Sequence, residues 1–266
     1  VPLSEEHLAE LKDAKRRLED VPFVISLSNA VGRPIEFAYD KLPKAARERI
    51  GTLIGKALEK AVGFAFTGMK NGAARARNQR YKGAVALSGA AGGLFGLSGV
   101  AVELPASTLT MMRSIGEVAR ENGEDITLIA TRLECLAVFS MGGRSADDDA
   151  ADSAYFATRA WQAQVINSAA KYAENAARTG GAKATEEAIP VLVKMIQRIT
   201  TRFGVRLTQA QTAKIVPVLG AFTGAGINTL FLDYYQSVAK GHFTVRRLQR
   251  IYGAEIVEAA YMATKT

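Results

Sequence analysis

Apolar residues recur along most of this chain at intervals of three and four, the period of a helix rather than the alternation of a strand. Ser4 followed by Glu5 and Glu6 reads as an N-cap with acids in the first turn, and Leu8, Leu11 and Leu18 give the opening helix its apolar side. Pro22 and Pro34 interrupt the stretch from Val21 to Asp40, which reads as a connector and a short helix. Pro43 opens a long helix from about Lys44 to Lys70, with Leu53, Leu58, Ala61, Ala65 and Phe66 in helical register.

Two runs lack charge altogether. From Gly83 to Val102 the chain is near the roughly 20 residues of a membrane span, but glycine disfavours a helix by about 1 kcal/mol relative to alanine, which argues against a simple span. Gly89, Gly92, Gly96 and Gly99 share one face, a bare surface that lets another helix approach closely. The helical wheel puts Glu103, which ends the run, on that same face and so in the packed interior. The second run, Ile215 to Leu232, is expected to form a helix from Pro217 to Asp233 with Gly220, Gly224 and Asn228 as its small-residue stripe.

Pro105 suits a helix start, with Asn122 and Gly123 as the stop and Leu109, Met112, Ile115, Gly116 and Ala119 facing inward. Arg113, Glu117 and Arg120 form a possible charge ladder on that helix. A further helix runs from about Thr127 to Met141, others to Arg178 and from about Thr185 to Phe203. The polar, loosely patterned region at about 172–211 reads as a variable helical insertion. Beyond a turn at Gly241-His242, Thr244 caps a last helix with Ile251, Ile256, Val257 and Tyr261 on its apolar side. The expected fold is all-α: a multi-helix single domain, 1–266, around two Gly-rich central helices packed as a hairpin pair.

Charge adds a location. The chain of 266 residues carries +8, and the segment from Arg49 to Val102 holds eight cations against Glu59 alone, so +7 of the excess is local. Lys70, Arg75, Arg77, Arg80 and Lys82 form its densest part, with no acid among them. Such a stretch suits an anionic membrane surface or lipid. Nucleic acid has less support, because Tyr81 is the one aromatic residue there and no known recognition motif is present. A single cysteine, Cys135, excludes an internal disulfide and favours a reducing compartment; on an apolar helix it reads as core. The opening residues lack a signal-peptide pattern.

Candidate chemistry is sparse. Glu103, Asp233 and His242 could together perform acid/base or metal-assisted hydrolysis, while the competing reading of His242 is a bond to helix-end carbonyls. His7, on a polar helix, reads as solvated. Asp147, Asp148, Asp149 and Asp152 could hold a hard cation, but the spacing matches no EF-hand loop and a helix N-terminus capped by Ser145 explains them as well. No P-loop, Gly-x-Ser-x-Gly elbow, dinucleotide fingerprint or His-Glu-x-x-His is present, and no cofactor is expected. Glu103, Asp233, Arg113 and Arg246 are alternatively ion-pair partners that fix helix packing.

Several blocks resemble the EcsC family in order: Glu103-Leu104-Pro105, Ser114 to Arg120 with Gly123-Glu124-Asp125, Gly142 to Asp149, Ile215 to Gly220 with Gly224 to Asn228 and Asp233, and His242 to Leu248. They extend over about Val21 to Ala263. The resemblance implies a bacterial protein associated with transport or secretion, with a transporter or secretion component as a partner, and it carries over no catalytic residues. The combined expectation is a peripheral membrane or lipid- and apolar-ligand-binding protein, cytoplasmic and at the inner membrane.

Overall fold

A computed structural model describes residues 2–19, 81–84, 96–141, 153–179 and 224–264, together with scattered positions between 45 and 69 and residues 196, 197 and 199. All regular structure among the described residues is helical, as the periodicity predicts. In chain order the elements are α1 (Glu5–Glu19), α2 (Gly96–Glu121), α3 (Ile129–Ala137) with a 3₁₀ turn at Val138–Ser140, α4 (Ala154–Thr179), α5 (Gly224–Tyr252) and α6 (Ala254–Ala263).

The long helix α5 organises the packing. α1 runs antiparallel to it, from Arg17 donating to Ser237 Oγ at 3.2 Å to His7 Nδ1 lying 2.8 Å from the Tyr252 hydroxyl. α2 runs in the same direction as α5, with Gln236 donating to Ser114 Oγ at 2.7 Å and Arg246 reaching Glu124 just past the α2 terminus. Where their contacts are described, the two helices that carry the glycine runs are therefore parallel neighbours, not an antiparallel hairpin. Burial of Leu11, Leu18, Met112, Ile115, Val118, Leu133, Phe139, Tyr235, Phe243 and Leu248 forms one core between these helices, and Leu58, Ala61, Ala65 and Phe66 join it as expected.

Two boundaries and one buried face differ from expectation. α2 continues through Pro105, which lies inside the helix rather than at its start. An interior proline loses a backbone hydrogen bond at about 3 kcal/mol, and tertiary burial of Met111, Met112, Ile115 and Val118 is the compensation available to α2. Its C-terminus is as read: Gly123 has φ 78°, its N–H donates to Arg120 O, and Glu124 N–H donates to Ala119 O, which closes the last turn.

α5 likewise continues through Gly241, His242 and Thr244 and ends only at Tyr252, before Gly253 with φ 93°. Gly241 serves helix contact, not turning. A Cβ at this position would lie 2.8 Å from Leu18 Cγ and 2.9 Å from Ala14 O, so the missing side chain is what lets α1 and α5 approach. The third difference concerns the last helix: α6 buries Val257 and Tyr261 but exposes Ile256, while Ile251 at the end of α5 is exposed too, as is Leu8 on α1.

Lys15 ties the final helix down. Its ammonium group is buried and donates to Tyr261 O at 3.0 Å and Thr264 O at 2.7 Å, the carbonyls at the C-terminal end of α6. A cation placed there also meets the negative pole of the helix.

Candidate functional site

The densest polar chemistry in the described structure is a buried cluster at Glu134, where α3, α4, α5 and the Gly123 turn meet. α3 is otherwise apolar here, with Leu133, Cys135 and Leu136 completely buried, so the helix carries Glu134 inward. Three groups converge on its carboxylate. Arg159 of α4 donates to Oε2 at 2.6 Å, Arg246 of α5 donates to Oε1 at 2.7 Å, and His242 Nε2 lies 3.2 Å from Oε2 at an angle poor for a hydrogen bond.

Arg246 also clamps Glu124, with Nε donating to Oε1 at 2.8 Å and Nη2 to Oε2 at 3.2 Å, and Arg250 completes that carboxylate's contacts. His242 and Arg246 stand four residues apart on one face of α5, which is why one helix can serve both carboxylates. On the far side of the imidazole, the Tyr155 hydroxyl lies 3.0 Å from Nδ1. With Tyr155 donating to Nδ1, the ring hydrogen belongs on Nε2, facing Glu134; these partners assign the tautomer.

The electrostatics follow from burial against charge. Burial alone would raise the Glu134 pKa, but the His242 contact and the positive charges of Arg159 and Arg246 outweigh it and hold the carboxylate ionised. Burial drives the His242 pKa down, opposed by Glu134, so the imidazole is neutral at pH 7. Tyr155 is pushed up to about 12 by burial. The Cys135 thiol is raised by burial and by Glu134, which keeps it protonated and inert as a core residue.

Carboxylate, imidazole and hydroxyl stand here in the order of a proton relay. Access decides against catalysis in this arrangement: His242 is 0% exposed, Glu134 3% and Tyr155 4%, with Phe156 and Tyr261 rings packed on Tyr155. What the cluster does is join four parts of the chain. A second polar layer extends it, because Tyr261 donates to Glu19 at 3.0 Å and Gln162 Nε2 donates to Ser140 Oγ at 2.7 Å.

The residues singled out from sequence fall elsewhere. Asp233 sits on α5 nine residues before His242, which is about 13 Å along the axis and on the opposite side of the helix, and it pairs with Lys82 at 2.8 Å near the surface. The structure thus does not bring Asp233 and His242 together. Nor does His242 bond helix-end carbonyls, since α5 continues well past it. Glu103, Gly96, Gly99 and Gly224 lie on described helical backbone, but their side-chain surroundings are outside the described residues, as are Lys70, Arg75, Arg77, Arg80, Gly89, Gly92, Gly220, Asp147, Asp148, Asp149 and Asp152. Asn228 is buried. His7 is half-buried against the Tyr252 ring rather than solvated. Arg246 does form the buried ion pairs expected of it. Among the described residues no group of His, Cys, Asp or Glu could hold a metal, and no helix is long and apolar enough to cross a membrane.

The model of the EcsC protein family matches residues 5–248, which include every member of the Glu134 cluster except Arg250. The chain belongs to the EcsC family. No curated protein and no solved structure matches it. Within this EcsC chain the matched span ends at Leu248, leaving the last residues of α5 and the whole of α6 beyond it.

Proposed function

We propose that this EcsC-family chain is a peripheral protein that binds an anionic membrane surface, or lipid drawn from it, through the basic stretch from Lys70 to Lys82. The observation that carries this reading is the partition of charge. Outside Arg49 to Val102 the chain has a net charge of only +1, and its described framework matches cations to carboxylates in pairs such as Arg17–Asp13, Arg247–Glu10, Arg159–Glu134 and Arg246–Glu124. The surplus is thus concentrated in one segment, next to a charge-free glycine run that could shelter or insert apolar surface. Lys82 already pairs with Asp233, and the other four, Lys70, Arg75, Arg77 and Arg80, at about 1 kcal/mol each near an anionic leaflet, suffice for salt-sensitive attachment. In this reading the protein works at the cytoplasmic face of a bacterial inner membrane, in association with transport or secretion.

Sedimentation with vesicles tests the proposal. Vesicles containing about a third anionic lipid should pull the protein down in low salt and release it as salt screens the charges, while neutral vesicles leave it in solution. Equal recovery with both vesicle types at every salt concentration would overturn it.

A further inference from the structure

Leu8, Leu128, Ile251, Ile256 and Met262 are the large hydrophobic residues exposed among those described, and three of them, Leu8, Ile251 and Ile256, lie at the end of the bundle where the start of α1 meets the end of α5. Single exposed aliphatics are ordinary; a cluster is informative. The contact of His7 with Tyr252 joins the start of α1 to the end of α5, placing Leu8 and Ile251, each the chain neighbour of a contact residue, beside the same junction. α6 begins two residues later and adds Ile256, 40% exposed against 45% for Leu8 and 54% for Ile251.

This end is also acidic in a basic protein. Glu5, Glu6, Glu255 and Glu258 are exposed and have no ion pair among the described residues. The neighbouring cations Arg247 and Arg250 are taken up by Glu10 and Glu124, while Lys12 lies one turn beyond Leu8 on α1. Toward the opposite end of α5, Asp233 pairs with Lys82.

We infer that the α1–α5–α6 end is a docking surface for a basic amphipathic helix of a partner protein, whose apolar face covers Leu8, Ile251 and Ile256 and whose Lys or Arg residues meet the four glutamates. Aliphatic centre and acidic rim together select this occupant over an acidic one or an anionic lipid. Ile251, Ile256, Glu255 and Glu258 lie beyond the span matched to the family, while Glu5, Glu6 and Leu8 lie within it. None of the residues of this surface belongs to the basic stretch from Lys70 to Lys82.

Fluorescence anisotropy with two labelled model helices tests the inference, one of leucine and lysine and one of leucine and glutamate in the same pattern. The full chain should bind the lysine helix at least tenfold more tightly at physiological salt. Ile251→Ser with Ile256→Ser should weaken that binding at least tenfold without moving the melting temperature, since both side chains are exposed, and Glu255→Lys with Glu258→Lys should reverse the preference. Equal binding of the two helices, or binding unchanged in both double variants, would overturn the inference. So would a chain that self-associates through this face in sedimentation equilibrium, because the occupant would then be a second copy.

Discussion

Two ion-pair sites on the same helix behave differently. Near the N-terminal part of α5, Asp233 and Lys82 pair at 2.8 Å with about two fifths of each side chain in water; near its C-terminal part, Arg246 joins Glu134 and Glu124, both nearly sealed from solvent. The chemistry is the same, but water access separates the roles. An exposed pair is screened, easily exchanged for water and open to an incoming anion, whereas a sealed cluster must remain complete for the helices around it to pack. The difference teaches where to look for function in this chain: the sealed charges hold the fold, and those left over are available for recognition.

Removing Glu134 should break the comparison most severely. Glu134→Ala leaves Arg159 and Arg246 facing a buried gap, and a loss of about 3–5 kcal/mol in urea unfolding is expected, with the melting temperature falling accordingly. Next comes pH. The unfolded chain protonates histidine near 6.5, while folded His242 resists protonation until about 4, so the unfolded state gains the proton first and stability declines as pH falls between those values. The total is on the order of 3 kcal/mol, and His242→Gln should flatten this part of the stability–pH curve. Glu134, held below its ordinary pKa, adds a further decline beginning below about 4.5.

Gly241→Ala sharpens the comparison by disturbing α5 without touching any charge. Its Cβ would meet Ala14 O at 2.9 Å, backbone that cannot simply rotate away, so about 1–3 kcal/mol should be lost. The smallest effect belongs to Asp233→Asn, expected to change stability by less than about 1 kcal/mol in the same unfolding assay.

The fold was readable where burial follows a local period. Leu11, Leu18, Ile115, Leu133 and Phe139 lie in the core that helical spacing predicts. Pro105 and Gly241 misled because each is ordinarily punctuation, and only the neighbouring helices reveal why α2 and α5 continue through them. Of the Glu134 cluster, only Arg246 was legible in the sequence as an ion-pair partner, and Glu134 itself was not singled out. A lone carboxylate amid Leu133, Cys135 and Leu136 is the signal that could have found it, but its partner Arg246 lies 112 residues away along the chain. Arg159 and Tyr155 gave no local signal of their roles. Likewise nothing in the sequence near Lys15 points to the carbonyls of α6.

The central claim is that recognition resides in the surplus cations and stability in the sealed ones, and vesicle binding measured beside thermal unfolding tests it directly. Replacing Arg75, Arg77 and Arg80 by Gln should leave the melting temperature within about 2 °C, the scale of a surface change, while removing most binding to anionic vesicles. A variant that keeps wild-type vesicle binding would contradict the account.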